Sequence, residues 1–483
     1  MNYRSVRVAA LTVLCCSVAA MPSQAQVVVT PNTSPPPLQN VQAFTIDASQ
    51  GSHFDPHVDG TLISFTSNPD DFSGNHIRYF RLGLDTAPQE VPVPSADSDL
   101  LSKVSGTRIA YTHVVGLTAA INVFDTALPP GAGNPATVNP QTAAARFNGS
   151  FRGNLIAYID ATASFDASQQ GDLVVYDLLT GTASRITNDT VADVNPTLSP
   201  DGATVVWEKC PVDFNHCDIW KAVNIGGTWV SSVVSDDPGN EIFPGTNGDV
   251  IVYAAERADG EHIFYRDAAN VEHELVPPSS AGPGISAGPR IAGDFITFEG
   301  QTPSGRYNVF LFQLSTGRLW NLTNQSLFDD LLADVSVLPD GEVVVVYEST
   351  NPDAAHTSVN ALRFTVPPVV PSYNVCPLYD ATKAKKSGST YPIQIRLCDA
   401  SGANLSSPSI VVHAVGVTQL STNAPGTLDD AGNSNPDFDF RYDATLAAYV
   451  FNLKTTGFAT GTYSLAFTAG ADPALHSALF QIK

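Results

Sequence analysis

Basic residues are scarce in this chain of 483 residues: 24 Lys and Arg stand against 47 Asp and Glu, a formal net charge of −23. So acidic a surface excludes nucleic acids and anionic membranes as partners, because both are held by basic patches. No apolar run downstream of the N-terminus is long enough to span a bilayer. Helical periodicity is also missing. The sequence has no phosphate-binding loop, no dinucleotide fingerprint, no His-Glu-x-x-His and no Cys-x-x-Cys, and with them go the commonest nucleotide, zinc-protease and dithiol chemistries.

Cysteine is sparse but informative. Of the 6 cysteines, Cys15 and Cys16 lie in a short apolar stretch, Val8–Met21, preceded by Arg4 and Arg7. Ser23 and Ala25 supply small residues for cleavage, so residues 1–25 read as a signal peptide and the mature chain as exported, extracellular or periplasmic. Loss of two arginines leaves 22 basic residues against 47 acidic ones, a net charge of −25. Four cysteines remain for an oxidising compartment, with three possible pairings. The local pairing, Cys210–Cys217 and Cys376–Cys398, keeps each bridge within one domain and is the expected one.

A repeat fills most of the remainder. Residues 26–40 are rich in Pro, Thr and Asn and read as an extended tether. Beyond them, turn glycines recur at Gly60, Gly106, Gly153, Gly202, Gly248, Gly293 and Gly341, at intervals of 46, 47, 49, 46, 45 and 48 residues. This is the period of a four-stranded propeller blade. Five residues after each of the first six glycines stands an aromatic: Phe65, Tyr111, Tyr158, Trp207, Tyr253 and Phe298. In the seventh copy Tyr347 follows by six. A large side chain at one strand position fills the gap between neighbouring sheets. The seventh copy lacks a fourth strand before Pro367, and Val41–Ile46 is a strand without a unit. The expected fold is therefore all-β: a seven-bladed β-propeller over residues 41–366, its last blade completed by the N-terminal strand.

Asn195-Pro196-Thr197-Leu198-Ser199-Pro200-Asp201-Gly202, followed by Val205-Val206-Trp207-Glu208 and Asp218-Ile219-Trp220, resembles the repeat of TolB-like propellers. Val335–Gly341 is a second good match, and the other copies are degenerate. The resemblance implies a propeller but no single function, since the repeat serves binding proteins, enzymes and peptidase gating domains. After a stiff linker, 367–372, residues 373–483 alternate polar and apolar, as in a small β-sandwich. Tyr391-Pro392-Ile393-Gln394-Ile395-Arg396-Leu397-Cys398-Asp399 and Gly461–Leu465 are similar to the PxKF-type Ig-like domain, although Gln394 and Ile395 replace the Lys and Phe of the naming motif. That resemblance implies an appended surface module.

Three features carry candidate chemistry. Gly284-Ile285-Ser286-Ala287-Gly288 fits a nucleophile elbow, but no helix follows it and no room remains for a hydrolase domain. His53, His57, His76, His113 and His356 fall on blades seven, one and two near one rim. With Asp55, Asp70 or Asp71 they could hold a divalent metal, as histidines do in some seven-bladed polysaccharide lyases. Asp429, Asp430, Asn433, Asp437 and Asp439 form an oxygen-rich loop that could take calcium. The reading that follows is an exported binding or scaffold protein without a required cofactor. Its partner is a protein or glycan of the cell envelope or exterior, engaged through the loops Ser67–Asn75, Lys209–Asp218 and Ser349–Ser358. The alternative is a metal-dependent polysaccharide lyase or hydrolase with a His-lined site on the same face.

Overall fold

The turn glycines and their aromatics translate directly into sheets. The computed structural model describes residues 27–483 apart from 70–73, 93–96, 132, 142–143, 163–170, 212–213, 259, 277–285, 325–326, 351–355, 369–370, 423 and 430–436. Two compact units divide the chain, Met1–Pro367 and Pro368–Lys483. The described residues of both are strands and connections, without a helix.

In the first unit, seven successive sheets begin at strands Ser52–Asp59, Ser98–Ser105, Arg146–Arg152, Ala192–Leu198, Glu241–Thr246, Ser286–Ala292 and Asp329–Val337. They are numbered sheets 1 to 7. Sheets 1 to 6 each run in chain order through four antiparallel strands. In sheet 7 the fourth strand is Gln39–Asp47, which pairs antiparallel with Thr357–Thr365, Phe44 opposite Ala361. The first strand of each sheet touches that of the next, and the first strand of sheet 7 touches that of sheet 1.

Each turn glycine has a positive φ, between 52° and 105°. That conformation strains a residue bearing Cβ, which is why glycine recurs there. The strand after each turn is buried on both faces, and so it reads as a continuous apolar run; Val343, Val344, Val345 and Val346 are fully buried. The repeated aromatics pack between neighbouring sheets: Trp207 of sheet 4 meets Ala157, Ile159, Leu173 and Val175 of sheet 3. The same kind of core joins sheet 7 to sheet 1, where Val344, Val346 and Ala361 meet Val58, Ile63 and Phe65. Burial of one such aromatic stabilises the fold by about 2–3 kcal/mol.

The segment expected as a free tether is extended but tied down. Val27–Val29 adds a parallel strand beside Glu272–Leu275 of sheet 5. Asn32 then exchanges backbone bonds with sheet 6, its N–H donating to Gly317 O at 2.7 Å and its carbonyl accepting from Leu319 N at 2.9 Å. Trp320 Nε1 donates to Pro36 O at 2.9 Å. The outer edges of these sheets have unpaired backbone groups, and an extended chain rich in Pro can satisfy them without forming a regular strand.

The second unit has two four-stranded antiparallel sheets. One orders 374–377, 390–398, 448–454 and 441–443; the other orders 424–426, 412–419, 461–469 and 472–482. Alternation in Thr390–Cys398 buries Tyr391, Ile393, Ile395 and Leu397, which pack with Phe451, Leu465, Phe467 and Phe480. Cys210 is joined to Cys217, and Cys376 to Cys398.

Candidate axial site

A backbone feature of the first strands builds the candidate site. Each first strand slips register once against its partner. At the slip stands a residue of positive φ: Asp55, Leu101, Asn148, Asn195, Phe243, Gly288 or Leu332, all between 51° and 61°. Such bulges twist the strand and re-aim its side chains. Two residues after each bulge come His57, Lys103, Ser150, Thr197, Gly245, Arg290 and Asp334. Because the first strands touch one another in succession, these equivalent positions bring charges from distant parts of the chain together.

His57 sits between two carboxylates, with Nδ1 3.1 Å from Asp334 Oδ2 and Nε2 3.1 Å from Asp55 Oδ1. Lys103 Nζ is hydrogen-bonded to the same Nε2. Val58 N also donates to Asp334 Oδ2, at 3.1 Å. A bonded polar series continues through sheets 2 to 5. Asn148 N donates to Thr112 Oγ1 at 3.2 Å, and Asn148 Nδ2 donates to Asn195 Oδ1 at 2.6 Å. Glu208 Oε1 accepts from Asn195 Nδ2 and from Phe243 N, both at 2.7 Å. Sheet 6 contributes Arg290, whose Nη1 donates to its neighbour Pro289 O at 2.9 Å.

The cluster is largely enclosed, His57 being buried and the Asp55 and Asp334 side chains only 19% and 16% exposed, and the proton affinities of its groups move accordingly. Burial would raise Asp334, but the hydrogen bond and charge of His57, with Arg290 and Arg152, outweigh it and hold the carboxyl at about 2. Burial opposes ionisation of Asp55 as well; Lys103 and His57 overcome it and keep that carboxyl well below its ordinary range. Desolvation pulls Lys103 down to about 8 against the attraction of Asp55. Desolvation raises Glu208 to about 7, despite its bonds from Asn195 and Phe243. The arrangement can bind a charged or strongly polar group and hold or release a proton near neutrality.

The five histidines separate into three groups. His57 alone belongs to the axial cluster. His53 is 1% exposed, with Nε2 3.2 Å from Ser49 Oγ and 3.5 Å from Asp47 Oδ1. Burial lowers its proton affinity, Asp47 opposes that, and the charge of His356 adds to the lowering. His113 Nδ1 is 2.6 Å from Asp99 Oδ1, and His76 Nδ1 is 3.2 Å from Glu90 Oε1. Among the described residues, no three donors that include these histidines lie close enough to share an ion, and Asp70 and Asp71, expected to join them, lie outside those residues. Loop sequence indicates which rim a histidine is near, but not which carboxylate captures it. Among the described residues, the one trio of donors close enough to share an ion is Glu208, Cys210 and Cys217. Those two sulfurs are already bonded to each other, so they cannot act as thiolate ligands.

Other candidates have local explanations or lie outside the described residues. Asp70, Asp71, Asp430, Asn433, Gly284 and Ile285 are outside them. Asp429 Oδ2 accepts from Lys454 Nζ at 2.9 Å, Asp439 Oδ1 lies 2.7 Å from His413 Nδ1, and Asp437 Oδ1 accepts from Asp439 N at 3.2 Å. Ser286 opens a strand that turns into a second strand, Phe295–Gln301, so the strand-to-helix turn of a nucleophile elbow is not formed there. The axial bulges escaped sequence reading because Asp, Leu, Asn, Phe and Gly all occupy them. A legible signal does exist two residues earlier. His53, Asp99, Arg146, Glu241 and Ser286 each stand twelve residues before the sheet's packing aromatic.

The sequence matches no family model and no curated protein. Solved structures do match. A puromycin-hydrolysing peptidase of Mycobacterium tuberculosis aligns with a TM-score of 0.50 at 11% identity, over 79% of this chain and 64% of that one. The chain thus spans less than two thirds of that enzyme. The β-propeller domain of the Trilobed protease from Pyrococcus furiosus gives 0.46 at 11% identity, over 67% of this chain and 97% of that domain. TolB from Acinetobacter baumannii gives 0.35 at 17% identity, over 65% and 78%. Likeness at such identities concerns the fold alone: an all-β chain with propeller-type neighbours.

Proposed function

We propose that the protein is an exported binding protein. Residues 41–366 form a closed seven-bladed, TolB-like propeller sealed by the N-terminal strand, and residues 373–483 form an appended Ig-like module. The ligand is a group presented by a protein or glycan of the cell envelope or exterior. It is engaged at the face to which the loops 67–75, 209–218 and 349–358 belong in sequence. The two disulfides fit an oxidising compartment.

One observation supports this reading above the others. Asp55, His57, Lys103 and Asp334 converge from sheets 1, 2 and 7 into a largely buried polar cluster, on which the charge of Arg290 from sheet 6 also acts. Taking charges out of water costs several kcal/mol each even after relaxation. A fold built only for stability has no use for such a cluster, and groups of perturbed proton affinity gathered in one place are a mark of function. Immobilised wild-type protein and a Lys103→Met/Asp334→Asn variant, matched for melting temperature, provide the test. Each is offered envelope proteins and a panel of polysaccharides. The wild type should retain a defined species that the variant releases. Should the double variant misfold, alanine at the loop residues Asn215 and His216 replaces it. Capture unaffected by either variant, or no capture by the wild type, removes the proposal.

A further inference from the structure

Building on that axial reading, we infer that the axis holds a binding site for a small oxyanion, a carboxylate or phosphate group, centred on Arg290 with Arg152 and Lys103.

The case begins with how this chain treats its other arginines. Acids outnumber bases 47 to 24, and most arginines of the first unit have a carboxylate within ion-pair distance. Arg78 pairs with Asp47, Arg81 with Asp85, Arg146 with Asp160, Arg266 with Glu272 and Arg363 with Glu342. Arg290 and Arg152 lack such a pair among the described residues, as do Arg108 and Arg318, which hold main-chain carbonyls at Gly153 and Pro367. Each is instead oriented by main-chain carbonyls. Arg290 Nη1 donates to Pro289 O, while Arg152 Nη1 donates to Val104 O at 3.1 Å and to Phe151 O at 3.2 Å. A guanidinium has five donors, so both arginines are positioned with donor capacity unused.

Their location makes that capacity useful. Hydrogen bonds link the first-strand level from sheet 7 through sheets 1 and 2, and again from sheet 2 through sheets 3, 4 and 5. Arg290 stands on the sheet that this series leaves out. It holds on sheet 6 the position after the bulge that His57, Lys103 and Asp334 hold on sheets 1, 2 and 7, and its charge acts on Asp55, Lys103, Glu208 and Asp334. Arg152 acts on Lys103 and Asp334 in the same way. The carboxylates Asp55 and Asp334 are already committed to His57. Glu208 is committed to Asn195 and Phe243 N. What remains is two guanidiniums with unused donors at this level, close to the Lys103 ammonium that His57 holds and to Asp55 Oδ2, which has no hydrogen-bond partner among the described residues. A planar fork there matches a carboxylate or phosphate edge through paired N–H bonds.

The probes are inorganic phosphate and malonate, titrated into the full chain by calorimetry and by thermal shift, with sodium chloride at matched ionic strength. The expected result is saturable binding of at least one probe that chloride does not reproduce. Affinity should be weakened about tenfold or more in Arg290→Ala, in keeping with loss of a charge-assisted bidentate contact. Arg290→Lys should recover part of it, since charge returns without the fork. Arg185→Ala, which removes an arginine paired with Asp172, should bind as the wild type does. A shift that follows ionic strength alone, or affinity unchanged in Arg290→Ala, overturns the inference. Wild-type protein that ignores both anions but captures a macromolecule through the axis ends this inference and leaves the binding-protein reading standing. Anion binding through Arg290 without macromolecular capture does the reverse.

Discussion

At the scale of single residues, the position two before each bulge explains why a charge can lie in the core of this fold. It is His53, Asp99, Arg146, Asp193, Glu241 or Asp330 in six sheets, and each is almost fully buried. Three of them meet the repeated aromatic of their own sheet. Trp207 Nε1 donates to Asp193 Oδ1 at 2.8 Å, and Thr187 Oγ1 donates to Asp193 Oδ2. Arg146 lies over the Tyr158 ring with its guanidinium carbon 5.4 Å from the centroid, and His53 meets Phe65 edge-on at 6.0 Å. His53 thus packs against the aromatic of its own sheet through an edge contact of the rings. Asp193→Ala strands two buried donors, and should cost about 2–4 kcal/mol; Asp193→Asn keeps an acceptor for one of them and should cost less. Trp207, Trp220, Trp229 and Trp320 all lie in the first unit. Tryptophan fluorescence during urea unfolding thus measures that unit without interference from the second. A variant Asp193→Ala as stable as the wild type would show that the bond is incidental.

At the scale of elements, the sequence was most legible where one residue type meets one physical need. Turn glycines need positive φ, and inter-sheet gaps need an aromatic, so seven copies could be aligned by eye. The bulges are a different case. They are imposed on the backbone by strand pairing, and residues as unlike as Leu101 and Asn195 adopt the same φ. The axial cluster was illegible for a related reason: Asp55, Lys103, Arg290 and Asp334 are remote in sequence, and their convergence depends on the ring. The N-terminal segment falls between these extremes. Val41–Ile46 announced itself as a strand in need of a sheet, whereas the contacts of Val27–Pro36 are mostly main-chain and leave little trace in composition. Removing residues 27–47 uncovers the Thr357–Thr365 edge of sheet 7, and an exposed edge strand recruits other chains. Such a protein should associate beyond the wild type in light scattering, while one lacking only 27–36 should keep the wild-type mass with a lower melting temperature. A monomer of unchanged stability after the longer deletion would mean that the strand at Gln39–Asp47 is dispensable.

At the scale of the whole molecule, burial of acids in a chain already rich in them should give it an unusual response to pH. Desolvation raises Asp99 and Asp193 to about 6, Glu208 to about 7 and Glu241 to about 8. A carboxyl raised in the folded state binds its proton there at pH values where the unfolded chain has released it. Stability then falls as pH rises from the unfolded value near 4 through the folded value, and is level beyond it. Asp55 and Asp334 are shifted the other way. Their contribution is fully present above the unfolded value of 3.8 and is lost only in stronger acid. Lys103, lowered to about 8, binds more protons unfolded than folded above that pH, so its effect on the slope is opposite there. The sum is a protein more stable near pH 5 than near pH 8, the reverse of ordinary acid sensitivity, and self-repulsion among 47 acids works in the same direction. Glu241 is the most informative handle. It is fully buried, its Oε1 accepts from Ser235 Oγ at 2.7 Å, and its Oε2 has no partner. Glu241→Gln removes the ionisation and keeps the acceptor. It should raise the melting temperature at pH 8, change it little at pH 5, and so flatten the profile between them. A wild-type profile that rises from pH 5 to pH 8, or a Glu241→Gln profile as steep as the wild type's, would mean that these acids ionise in the folded chain without cost.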